Sequence, residues 1–133
     1  MNIKSEAFKL LSRRDYFSEE LKRKLIQKRF SESEVDEVIK YLKEEGYLDD
    51  EKLLERYKEL SIEKGESFLK LKSKLYRKGI KDLDFSYEEE LEAALNLLQK
   101  KFKKEKNYPN VVKFLKNRGF SYSVIQEAVK RFL

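Results

Sequence analysis

The sequence predicts an all-α protein, three tandem three-helix units forming an elongated, curved solenoid-like body. Three observations lead there. Apolar residues recur at helical spacing along nearly the whole chain, and nothing alternates with period two for long enough to make a strand. The four glycines, Gly46, Gly65, Gly79 and Gly119, each follow a periodic segment, where a left-handed C-terminal cap needs glycine. A short basic helix ending is written three times, as ELKRKLIQKRF (20–30), KLKSKLYRKGI (70–80) and NVVKFLKNRGF (110–120).

Each helix has its own signal. Ala7, Leu10 and Leu11 mark the first, over 4–14, and Phe17, Leu21 and Leu25 mark the second, over 18–29. Val35, Val38, Ile39 and Leu42 form an i, i+3, i+4, i+7 stripe for the third, over 32–45. Ser31 and Glu34 open it at capping-box spacing, with Phe30 placed to staple onto Val35. Leu53, Tyr57 and Leu60 predict a fourth helix over 49–64, and Phe68, Leu71 and Leu75 a fifth over 66–78. The sixth, over 86–106, opens on a Ser86–Glu89 capping box and carries Leu91, Ala94, Leu95, Leu98 and Phe102. Pro109, the only proline, suits the start of the seventh, over 109–118, where its missing N–H matters little. The eighth, over 122–132, carries Ile125, Ala128, Val129 and Phe132, with Phe120 as its staple.

Aligned on their ends, the three basic stretches correspond. Leu21, Leu71 and Val111 match, at spacings of 50 and 40 residues, as do Leu25, Leu75 and Leu115, then Arg29, Gly79 and Gly119. FSESEVDEVIKYL (30–42) continues the match against FSYSVIQEAVKRF (120–132). A period near 45 lies in the range of helical repeats, whose units bury their apolar faces on each other. The expected units are 1–47, 48–85 and 86–133, with the third helix of the middle unit shortened to a turn around 81–85.

Composition limits the function. The chain has no Cys and no His, so it lacks thiolate chemistry, soft metal ligands and the usual general base. No glycine is left for a phosphate loop. Asp49-Asp50-Glu51 and Glu88-Glu89-Glu90 sit in first turns, where acids offset the helix dipole. The expectation is a protein that is not an enzyme and needs no cofactor or metal. MNIKSEAFKLL lacks the apolar core of a signal peptide, and no apolar run approaches the roughly 20 residues of a membrane span. A cytoplasmic monomer without membrane contact is expected.

Charge is the informative remainder. The net charge is +6 and 42% of residues are charged, against about 25% in an average domain. Residues 66–81 carry Lys70, Lys72, Lys74, Arg77, Lys78 and Lys81 against the single acid Glu66. At 100° per residue, Lys70, Lys74, Arg77, Lys78 and Lys81 share one face. Lys113, Lys116 and Arg118 repeat the pattern at 111–120, and Lys22 and Arg23 at 22–29. SESEVDEV (31–38) and DLDFSYEEELE (82–92) are acidic, so charge is sorted by helix position. Stacked units would align the basic helices into a stripe suited to DNA backbone or an acidic groove, without base specificity. KKFKKEK (100–106) is a further candidate contact, and Tyr76, Tyr108 and Tyr122 carry rings that could stack on bases or pack between helices.

The stretch GYLDDEKLLERYKELSIEKGESFLKLKSKLYRKGI (46–80) resembles the middle of RecX regulatory proteins. Tyr47, Leu48, Asp49 and Asp50 match that family's opening, and Gly65, Lys70, Leu71, Leu75, Lys78, Gly79 and Ile80 match its basic helix and ending. Leu10, Leu11, Arg14, Ser18, Glu20 and Leu21 fit its first unit, and Arg118-Gly119-Phe120 its last. Ser67 and Phe68 depart from the Gly and Pro often found there. The resemblance implies a modulator of the RecA recombinase that lies in the groove of the RecA–DNA filament and limits its activity, with RecA and single- or double-stranded DNA as partners. Residues alone leave two alternatives open: a general nucleic-acid-binding helical repeat without a recombinase partner, or a protein-interaction scaffold whose cations only solubilise.

Overall fold

The computed structural model describes residues 2–133. Among these there are eight α-helices and no strand. They are α1 (Ile3–Leu11), α2 (Ser18–Gln27), α3 (Glu32–Glu44), α4 (Asp50–Lys64), α5 (Phe68–Tyr76), α6 (Tyr87–Lys101), α7 (Tyr108–Asn117) and α8 (Tyr122–Phe132). The chain falls into two compact units, the first running to Arg56 and the second beginning at Tyr57, so the division lies inside α4. No helix among the described residues is long and apolar enough to cross a membrane.

The thrice-written ending is a C-terminal cap. The N–H of Phe30 reaches the Leu25 carbonyl while that of Arg29 reaches Ile26. Ile80 to Leu75 with Gly79 to Tyr76, and Phe120 to Leu115 with Gly119 to Lys116, repeat the same pair of bonds. This is the Schellman motif, and it needs a left-handed residue just past the helix. Gly79 (φ 89°) and Gly119 (φ 87°) supply it, while in the first copy the non-glycine Arg29 takes φ 71°. Gly46 and Gly65 close α3 and α4 in the same way. N-termini are capped as the sequence implies. Ser31 and Glu34, and Ser86 and Glu89, form capping boxes, and Asn2, Asp49, Ser67 and Asn107 accept from their own first turns.

The apolar stripes close two cores. In the first unit Ala7 and Leu10 of α1, Leu21 and Leu25 of α2, and Val35, Val38 and Leu42 of α3 are buried together. In the second, Leu91, Ala94 and Leu98 of α6 meet Val111 and Leu115 of α7 and Ile125, Ala128 and Val129 of α8. Acidic first turns serve as caps in both. Asp50 accepts from the Ser18 N–H at 2.9 Å, and Glu90 accepts from the Ser121 N–H at 2.8 Å. No cluster among the described residues is built to hold a metal ion.

Three expectations fail. Helix α6 ends at Lys101, not 106, because Phe102 turns to extended backbone (ψ 117°) and lays its ring against Phe114 and Phe132, at 5.4 and 5.7 Å between centroids. Burying that ring outweighs a further helical turn of lysines. Residues 81–85 form no turn and run irregularly, with Leu83 buried and the Phe85 ring 5.6 Å from Phe68. On α4, Leu60 is 46% exposed and Ser61 is 1% exposed, the reverse of the expected stripe. Just past α4, Gly65 carries no side chain, which admits the α6 backbone. A Cβ on Gly65 would stand 2.5 Å from Leu97 Cβ and 2.7 Å from its Cα. From α6, Asn96 Nδ2 donates to the Ile62 carbonyl at 2.9 Å and Lys100 Nζ to that of Glu63, so α6 satisfies the last carbonyls of α4.

Candidate nucleic-acid interface

The basic residues are not equivalent, because some already have partners. Just before α5, Glu66 lies within 3.4 Å of Lys70 Nζ and 3.3 Å of Lys74 Nζ, its side chain only 10% exposed. Burial pushes the Glu66 carboxyl up, but Lys74 and then Lys70 pull it further down, so it stays ionised below the ordinary carboxylate range. One buried anion thus offsets two of the six cations. Lys72 lies 5.7 Å from the Phe68 ring and Lys78 5.7 Å from that of Tyr57. Helical phase also stops short of the expected face. Arg77 is the C-cap, Gly79 is left-handed, and Lys81 lies in the irregular segment beyond.

In the first unit Lys22 Nζ reaches Asp36 at 3.2 Å and Glu32 at 4.0 Å. The hydrogen bond and charge of Asp36 raise its pKa, so it remains protonated and tied to α3. Arg23, next to it, is exposed. The neighbouring Lys28 pairs with Glu6 at 3.3 Å.

The corner between α6 and α7 differs. A groove of about 260 Å³ is bordered by Lys101, Lys103, Lys104, Lys113 and Arg118, with no acid on its wall. Among the described residues none of the four lysines lies in ion-pair distance of a carboxylate. Arg118 is held by Phe114, stacking 3.7 Å from the ring centroid and donating to the backbone carbonyl at 3.1 Å. A larger groove, about 950 Å³, continues past Arg118 to Lys64, Glu66 and Lys70. It exists because the cap of α7 sits on the start of α5, with Ser67 Oγ and Leu69 within 3.5 Å of a Cβ placed on Gly119.

Of the sequence-derived candidates, Lys70, Lys113 and Arg118 therefore border one continuous concave surface, joined by Lys101, Lys103 and Lys104 of the 100–106 run. Lys72, Lys74, Arg77, Lys78, Lys81 and Lys116 do not line it. The signal that could have ranked the corner first is the scarcity of acid across 100–118, where Glu105 is the only one. Tyr76, Tyr108 and Tyr122 are 61%, 51% and 77% exposed, so they are not packed between helices. Concentrated cations without counter-charge create a positive potential in a concave wall and attract polyanions.

Comparison with known proteins agrees with the repeat. The family model for the first three-helix domain of RecX matches residues 4–50, and that for the third matches 88–129. The chain is 31% identical over 140 residues to the regulatory protein RecX of Vibrio vulnificus, covering 97% of this chain and 92% of that one. With the regulatory protein RecX of Legionella pneumophila (strain Corby) the identity is 36% over 135 residues, covering 93% and 90%. The protein of the same name from Trichlorobacter lovleyi is 30% identical, covering 94% and 92%. A shared three-helix plan at both ends, and relatives of the same name aligned from end to end, lead to one conclusion: this chain belongs to the RecX family of regulatory proteins.

Proposed function

We propose that the chain regulates the RecA recombinase as a non-catalytic inhibitor, seated in the groove of the RecA–DNA filament as a monomer in the cytoplasm. It hinders extension, strand exchange or ATP turnover in homologous recombination and repair. Three tandem units, 1–47, 48–85 and 86–133, touch successive recombinase protomers, and several modest contacts add up through effective concentration. Lys22, Arg23, Lys70, Lys72, Lys74, Arg77, Lys78, Lys81, Lys113, Lys116 and Arg118 contribute positive charge toward the bound strand. The largest share falls to the α6–α7 corner, because its lysines have no carboxylate partner among the described residues to give up.

That acid-free corner is the observation that carries the reading, together with family membership. A cation released from an ion pair such as Lys74–Glu66 exchanges one contact for another, whereas Lys103, Lys104 and Lys113 gain one outright. The test is DNA-stimulated ATP hydrolysis by RecA with the purified chain added. Hydrolysis should fall, and the chain should prefer RecA-coated strand to bare strand. Lys103→Glu with Lys104→Glu and Lys113→Glu should weaken inhibition more than Lys74→Glu with Arg77→Glu and Lys78→Glu. Unchanged hydrolysis at saturating wild-type chain refutes the regulator; tight binding to bare DNA without filament preference would instead make it a general nucleic-acid binder.

A further inference from the structure

Backbone contacts leave one feature of the α6–α7 corner unused. The Arg118 guanidinium carbon stands over the Phe114 ring, 3.7 Å from its centroid, and Nη1 donates to the Phe114 carbonyl at 3.1 Å. These two contacts hold the guanidinium plane in place. The residue is nonetheless exposed. The ring covers one side of the guanidinium, and Arg118 borders the groove of Lys101, Lys103, Lys104 and Lys113. Asn117 stands on the same wall, and its amide makes no hydrogen bond to the described residues.

A guanidinium plane backed by an aromatic ring attracts the face of an unstacked base, whichever base it is. A duplex cannot use such a plane, since its base faces are covered by neighbours and only edges are offered in the grooves. An acidic peptide such as polyglutamate offers carboxylates that pair with the guanidinium edge, not an aromatic face to stack on its plane. We propose that the corner is a subsite for single-stranded nucleic acid. One base stacks on the free face of Arg118, the adjacent phosphates sit among Lys103, Lys104 and Lys113, and the Asn117 amide is available to the base edge. This rests on the polyanion reading above and adds a strand preference that charge alone does not give.

The test measures fluorescence anisotropy at low salt with four probes: oligothymidylate, an abasic strand of equal phosphate count, a duplex of equal charge, and polyglutamate. The wild-type chain should bind oligothymidylate about tenfold more tightly than the abasic strand, a difference of about 1.4 kcal/mol. Arg118→Lys keeps the charge and removes the plane, and circular dichroism confirms that the helices persist. It should bring the two strands within about twofold of each other and leave the abasic affinity unchanged. Equal wild-type affinity for both strands, a preference that survives Arg118→Lys, or tighter binding of duplex or polyglutamate would each overturn the subsite while leaving a charged surface in place. Binding of none of the four probes would overturn the polyanion reading with it.

Discussion

Substituting Gly65 by Ala probes the close approach between the turn after α4 and the α6 backbone. Gly65 has φ +81°, and an added Cβ would lie 2.5, 2.7 and 2.9 Å from Leu97 Cβ, Cα and N. None of these atoms is the end of a flexible side chain, so α6 must move. The left-handed backbone costs an L-residue about 1–2 kcal/mol. Overpacking against backbone adds about 1–3 kcal/mol. Gly65→Ala should therefore destabilise the second unit by about 2–5 kcal/mol, a large part of the roughly 4–12 kcal/mol expected for a unit of this size. Gly119 belongs to the same unit and has φ +87°, but its nearest neighbour, Ser67 Oγ, would be 3.4 Å away. Gly119→Ala should show the conformational part alone, about 1–2 kcal/mol. Urea unfolding followed by circular dichroism reads the difference, provided the m-value is unchanged. Equal losses for the two variants would refute the close approach of α6 to the turn after α4.

Arg29 occupies the left-handed cap position that glycine fills in the other two copies, so Arg29→Gly should raise the stability of the first unit by about 0.5–1 kcal/mol, read as a higher thermal midpoint. Glu66 and Glu89 both titrate below their ordinary 4.5. For Glu66 burial raises the value and Lys74 with Lys70 more than offsets it; for Glu89 burial is outweighed by the Ser86 N–H and Lys58. A carboxylate depressed on folding adds stability above its unfolded pKa and loses it as pH falls through the folded one. The second unit should thus lose stability progressively on acidification below about 4.5, and Glu66→Gln with Glu89→Gln should flatten that loss; an unaltered acid profile would contradict it. Replacing Lys103, Lys104 and Lys113 by Gln should reduce the slope of log affinity for single strands against log salt by about 0.7 per lost phosphate contact. Lys70→Gln should change the slope less, because Lys70 is shared with Glu66.

Much of the architecture was legible because its causes are local. Helix stripes, capping boxes and left-handed glycines follow from groups within four or five residues of one another, so Val35 to Leu42, Ser86 with Glu89, and the endings at Gly79 and Gly119 are where the pattern puts them. Arg29 shows the strength of that locality. The cap forms even without glycine, because the hydrogen bonds and the buried Leu25 demand it.

The sequence alone determined the eight helices, the core stripes outside α4, the repeated cap and the family. Tertiary structure decided which lysines are free. Glu66 reaches Lys74 across eight residues, Leu97 dictates a small residue at 65, and Phe102 ends α6 to join Phe114 and Phe132. Ion pairing and close approach depend on distances in space, and charge along a chain does not disclose which cations will meet an acid there. Cations without a counter-charge therefore gather along the α6–α7 groove, whose wall carries no carboxylate, rather than on α5, the helix richest in lysine.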